Sequence, residues 1–226
     1  MKKAIVLALI LVFTSATHLC ADTVSFVPGT TYQTTALTGY STYGDMMDGM
    51  AVTAYFAAGG SQTVLWADTG SEAGGVSGTN WSLSQSGDTW NSPWTLVSDV
   101  AITQLILDSG TDLTVFDRDW APYPGTPGSA DGWAFQRLSG PTGLNVQAIY
   151  SDLIALSGYA PVGDLYRYLS LSFEIPDASG FTGIMTFRAD TDNITAYLTP
   201  VPEPSSILLL GFGLIGLAGL RRKLKR

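Results

Sequence analysis

The chain has 226 residues, 46% of them hydrophobic, with 19 acidic residues against 11 Lys and Arg and a formal net charge of −8. Its one histidine, His18, and one cysteine, Cys20, lie near the N-terminus, and its lysines are Lys2, Lys3, Lys223 and Lys225, so residues 22–200 keep only Arg118, Arg137, Arg167 and Arg188 against 18 acids, about −14 (4 − 18). That balance excludes disulfides, cysteine nucleophiles, Ser-His-Asp triads, zinc sites of His or Cys and lysine chemistry from this span, and it repels nucleic acid and anionic membrane surfaces.

In chain order, Met1-Lys2-Lys3, the apolar run 4–13 and the small and polar residues after it read as a secretory signal peptide over residues 1–21, cleaved after Ala21 or, as a second option, after Ala16. Export is the expectation, and cleavage after Ala21 removes His18 and Cys20 from the mature protein. Leu19 stands before Cys20 where a lipoprotein would carry a small residue.

Residues 22–200 are enough for one domain with a real core. They read as short strands punctuated by Gly, Ser, Thr, Asn, Asp and Pro. Segments 51–56 and 62–66 flank Gly59-Gly60, which takes the positive φ of a tight hairpin. Further strands are expected at 81–84, 94–97, 100–108, 111–116, 144–150, 166–175, 183–188 and 194–198, with one short helical turn at 151–156. The clearest is 166–175, where Leu169, Leu171, Phe173 and Ile175 alternate with Ser170, Ser172 and Glu174. About ten such strands predict an all-β fold, a two-sheet β-sandwich or jelly roll, with a barrel as the lesser alternative. Gly74-Gly75-Val76-Ser77-Gly78 reads as flexible loop, because it lacks the Lys and following helix of a phosphate-binding loop.

Two constellations carry chemistry. The first runs through Asp108, Asp112, Asp117, Asp119 and Asp131, with a Pro-rich segment that cannot be a central strand. Trp120, Tyr123 and Trp133 there offer flat faces to sugar rings, or else pack the loop onto the domain. The second is Asp190-Thr191-Asp192-Asn193. Asp190, Asp192 and Asn193 are hard oxygen donors suited to calcium, with Asp117 and Asp119 behind them, yet Asp and Asn are also ordinary turn residues. No cofactor is expected, with calcium as the one considered. Paired carboxylates suited to glycoside hydrolysis are easy to find by chance among so many aspartates, and no context marks Glu72 or Glu174, so no enzyme is expected.

The last segment, residues 201–226, has three parts. Val201, Pro202, Glu203 and Pro204 precede an apolar run, 207–220, and a basic end of Arg221, Arg222, Lys223, Lys225 and Arg226. The apolar run suits a transmembrane helix, somewhat short against the ~20 residues usually needed, and the basic end stays cytoplasmic by the positive-inside rule. This tail resembles the PEP-CTERM sorting signal of Gram-negative bacteria that make exopolysaccharide. The resemblance implies a precursor held transiently in the inner membrane, cut by an exosortase-like enzyme and released to the surface or extracellular matrix. It implies a structural or adhesive role beside extracellular polysaccharide, the alternative being a carbohydrate-binding module assisted by calcium.

Overall fold

A computed structural model describes residues 21–118, 125–127, 129, 131–176 and 178–201. The expected signal peptide up to residue 20, Asp119, Trp120 and Tyr123, and the tail from Pro202 with its expected membrane helix lie outside the described residues. The strands are β1 (Thr23–Thr34), β2 (Leu37–Gly39), β3 (Ala51–Phe56), β4 (Ser61–Leu65), β5 (Ala67–Gly70), β6 (Ala73–Gly78), β7 (Trp81–Ser86), β8 (Trp94–Asp108), β9 (Thr114–Asp117), β10 (Gln136–Ser139), β11 (Asn145–Leu156), β12 (Leu165–Glu174), β13 (Phe181–Arg188), β14 (Asp190–Ile194) and β15 (Thr199–Pro200). Among the described residues the helical elements are two short 3-10 turns, Gly44–Met47 and Ser109–Thr111. None of these helices is long and apolar enough to cross a membrane.

The fold is all-β, as expected, but its strands join in one 15-stranded sheet, mostly antiparallel and strongly curled into a half-barrel, rather than in two separate sheets. The reason is β8. The sequence reads as two strands, 94–97 and 100–108, because Ser98-Asp99 looks like a turn; in the fold they are one strand of 15 residues. Ile102 lies opposite Phe56 of β3 on one edge and Phe181 of β13 on the other. Hence β3 and then β7 follow one edge of β8, while β12 and then β13 follow the other. Ser98 Oγ donates to Val100 O at 2.7 Å where the chain turns between these halves, so a hydroxyl satisfies backbone that the ladder leaves there.

Beyond β12, strands β1 and β11 form a parallel pair whose register shifts between Val27 and Thr31. Gly29 (φ 57) and Asp152 (φ 64) accommodate the shift, and the Thr30 N–H donates to Asp152 Oδ1 at 3.0 Å. The helical turn expected at 151–156 is therefore the end of β11. Segment 194–198 ends its strand character at Ile194, because residues 190–194 pair with β9 and β2 instead. The β3–β4 hairpin turns as expected, with Gly59 at φ 92, Gly60 at φ 82 and the Phe56 N–H donating to Gly60 O.

The core fills the curl. Trp94 stacks on Phe187, rings 5.9 Å apart and 9° from parallel, and meets Trp66 edge-on at 5.2 Å. Their indoles are anchored, Trp94 Nε1 to Ala189 O and Trp66 Nε1 to Gly44 O, each at 2.8 Å, which removes the cost of burying an N–H. Packing here corrects the reading of residues 74–78 as loop. They form β6, and Gly74 is glycine because a Cβ would run into Gly44 O and Trp66 Nε1. Gly74→Ala is expected to cost about 1–3 kcal/mol by overpacking, read as a shift in the urea midpoint; an unchanged midpoint would contradict this close approach.

Candidate functional site

Strand β14 sets the site. Its period of two puts Asp190 and Asp192 on one face, with Thr191 and Asn193 on the other. The antiparallel register places Asp190 opposite Asp117 of β9, a cross-strand neighbour on the same face. Asp117, Asp190 and Asp192 are all 0% exposed. Asp190 Oδ1 accepts from Thr89 Oγ1 at 2.8 Å, and Asp117 Oδ2 accepts from Ser129 Oγ at 3.2 Å. Asp190 Oδ2 and both Asp192 oxygens receive no donor from the surrounding protein when all three acids are ionised, but a protonated Asp192 hydrogen-bonds Asp117.

The surroundings close this face. Gly132 lies so near Asp117 that a Cβ would stand 2.6 Å from its Oδ1. Asp164, also buried, accepts from the Thr126 N–H and, at 2.7 Å, from Thr126 Oγ1, pinning the loop beside the group. Tyr150, fully buried, accepts from the Phe135 N–H at 2.7 Å; its phenol is pushed up by burial, then by the charges of Asp190 and Asp117.

Three acids so placed cannot all be charged. Burial, then the Asp117 charge, pushes the Asp190 carboxyl from 3.8 up to about 8; burial, then Asp117 and Asp190, pushes Asp192 up to about 9. Both carboxyls are therefore held in their neutral form at neutral pH by burial and by the Asp117 charge. Neither Asp190 nor Asp192 has an arginine partner among the described residues, where Arg137 pairs with Asp22 and Arg167 with Asp108. At neutral pH Asp190 and Asp192 therefore hold protons. Among the described residues no group of three His, Cys, Asp or Glu side chains could hold a metal ion.

This geometry revises the candidates. Asp190-Thr191-Asp192-Asn193 is a buried strand rather than a turn, because its backbone pairs with β9 and β2. Asn193 leaves the group: its side chain points to the opposite face, where Nδ2 donates to Ser41 O at 3.0 Å. Asp117 joins it, and the signal was present in the sequence as a polar strand pattern following β13 after a single residue. Trp133 is half-buried, 5.3 Å from Trp90, with the Arg188 guanidinium 5.0 Å over its ring. Asp112 is buried and accepts from the Thr114 N–H and hydroxyl, while Asp108 takes a two-pronged ion pair from Arg167 at 2.7 and 2.8 Å. Sequence reasoning missed an open groove of about 770 Å³ beside the β3–β4 hairpin, lined by Phe56, Ala57, Asn80 and Ala101 among others and by no charged residue.

The other end of the sheet leads to the tail. Strand β15 pairs with β1 through Pro200 and Tyr32, and the Val201 N–H donates to Thr31 O at 2.9 Å. Residues 200–223 match the family model of the PEP-CTERM protein-sorting motif. No curated protein and no solved structure matches the chain. The first two residues of the matched segment thus belong to the sheet edge, so the body runs into the motif without a spacer. The chain carries a PEP-CTERM protein-sorting motif at residues 200–223, which implies an exported protein sorted through a C-terminal membrane segment and processed by exosortase.

Proposed function

We propose that the protein is a non-enzymatic component of the cell surface or extracellular matrix, structural or adhesive beside exopolysaccharide. The observation that carries this reading is the sorting motif at residues 200–223 attached directly to an acidic all-β body. The precursor sits in the inner membrane with its basic end in the cytoplasm, is cut near Pro202-Glu203-Pro204 and leaves the body outside. Complete burial of Asp117, Asp190 and Asp192 supports a non-catalytic role, since a polymer cannot reach carboxylates that are 0% exposed. The surplus of acids supports a partner other than nucleic acid. Intact mass of the mature protein from its producing cell tests the processing: the expected mass lacks Arg221 to Arg226, and a surface form that retains them overturns it.

One observation favours a second reading, a carbohydrate-binding module. Trp90 and Trp133 are both half-buried and in contact, presenting aromatic surface. Binding on a glycan array that Trp133→Ala abolishes would support it. Absence of binding leaves the structural role.

A further inference from the structure

We propose that the outer edge of β1 is the docking site for the chain's own sorting motif, which extends β15 along it. Strand β1 pairs with β11 from Thr23 to Thr34, but on its other edge β15 covers only Tyr32 and Gln33, and the Val201 N–H reaches one residue further, to Thr31 O. From Thr23 to Thr30 no other strand among the described residues lies against that edge. The open stretch, Thr23-Val24-Ser25-Phe26-Val27-Pro28-Gly29-Thr30, carries no charge although the domain is rich in acids, and Val24 and Val27 are exposed. An uncharged edge of this length is a template for a further strand unless something covers it.

The spacing of the prolines names the occupant. In an antiparallel pair every second residue turns its N–H and C=O toward the neighbouring strand, and the residues between turn theirs away. Val201 donates to β1, so Pro200, opposite Tyr32, stands where the nitrogen faces outward and proline loses no ladder bond. Carried on, the same alternation aims the N–H groups of Glu203 and Ser205 at β1 and leaves Pro202 and Pro204 facing outward. Prolines at 200, 202 and 204 thus fall on the positions where an edge strand tolerates them, and residues that keep a donor fall on the others. The register of Tyr32 with Pro200 brings Glu203 to Gly29, at the shift in β1. A motif seated there is closed to an enzyme that must take it into its own cleft, so β15 and the motif have to be peeled from β1 before cleavage. This rests on the reading of the chain as an exosortase-sorted precursor and adds a body that regulates access to its own motif.

The test reads docking itself, on the full chain in detergent micelles, so its failure is distinct from a failure of processing. Hydrogen exchange of the Glu203 amide is expected to run at least about tenfold slower than in a free peptide of residues 198–206. Val201→Pro removes the donor to Thr31 and should restore the peptide's rate while exchange in β11 and β12 stays as in wild type; Pro202→Ala, at an outward position, should keep the protection. A Glu203 amide that exchanges at the peptide's rate in the folded chain overturns the proposal. Protection that survives Val201→Pro comes from the micelle, and protection that rises with protein concentration assigns the edge to a second copy; either result also overturns it. If Val201→Pro disturbs the body, crosslinking decides. Thr30 and Pro202 stand opposite each other without ladder bonds, a spacing a disulfide can bridge. With Cys20→Ser in place, Thr30→Cys with Pro202→Cys should oxidise within one chain, whereas Val24→Cys with Pro202→Cys, out of register, should not; equal crosslinking of the two pairs, or none in the first, refutes the docking.

Discussion

The melting midpoint is expected to fall by at least about 10 °C, what a single buried carboxyl supplies, as the pH is raised from 5 to 8. Asp112, Asp190 and Asp192 are buried carboxyls, and burial is the largest cause lifting them from 3.8 to about 8, about 8 and about 9. The folded protein therefore keeps protons that the unfolded chain has released above about pH 4. Their stabilising contribution is complete below that pH, declines as pH rises through the window, and is gone above about 8 to 9. One such group is worth ~1.4 kcal/mol per pH unit, so a single carboxyl gives roughly 4 kcal/mol over three units; for a domain of this size each kcal/mol moves the midpoint by about 2–4 °C. Asp112→Asn should flatten the slope by one proton, because an amide at that position can still accept from Thr114. A midpoint that rises across this window would contradict buried protonated carboxyls.

Trp94→Ala is expected to lower stability by about 3–5 kcal/mol, the range for emptying a buried aromatic site. Trp94 is 0% exposed, its ring fills the space between Phe187 and Trp66, and its Nε1 holds Ala189 O. Ala189 stands immediately before β14, so the same change loosens the strand that carries Asp190 and Asp192. Trp94→Phe keeps much of the volume and loses the hydrogen bond; it should cost about 0.5–1.5 kcal/mol. Trp133→Ala, at a half-buried ring, should cost less than Trp94→Ala. Urea unfolding of the three variants gives the order, and a Trp94→Ala midpoint equal to wild type would show that the ring does not support this core.

Several features are determined by consecutive residues alone. The alternation of residues 166–175 specifies a half-buried strand, and β12 buries Leu169, Leu171 and Phe173 while Glu174 is exposed. Gly59-Gly60 specifies a hairpin because positive φ is a steric property of the residue itself. The sorting tail is legible without any fold, since an acidic Pro-flanked motif, an apolar run and a basic end act on a membrane through their order and composition. Other features were decided elsewhere in the chain. Gly74 and Gly75 read as loop because glycine has no side chain to mark a strand, and the reason for glycine lies in Gly44, Trp66 and the Leu83 backbone. Ser98-Asp99 reads as a break, yet pairing on both edges carries β8 through it and makes one curled sheet of what the pattern divides into two. Asp190-Thr191-Asp192-Asn193 reads as a solvated turn, and only its register against β9 and β2 makes it a strand, sets Asp190 beside Asp117 and turns Asn193 away. Steric preference and composition are local, so the sequence determines them; burial and the charge state of a carboxylate depend on which strands pack around it, and only the tertiary structure decides that.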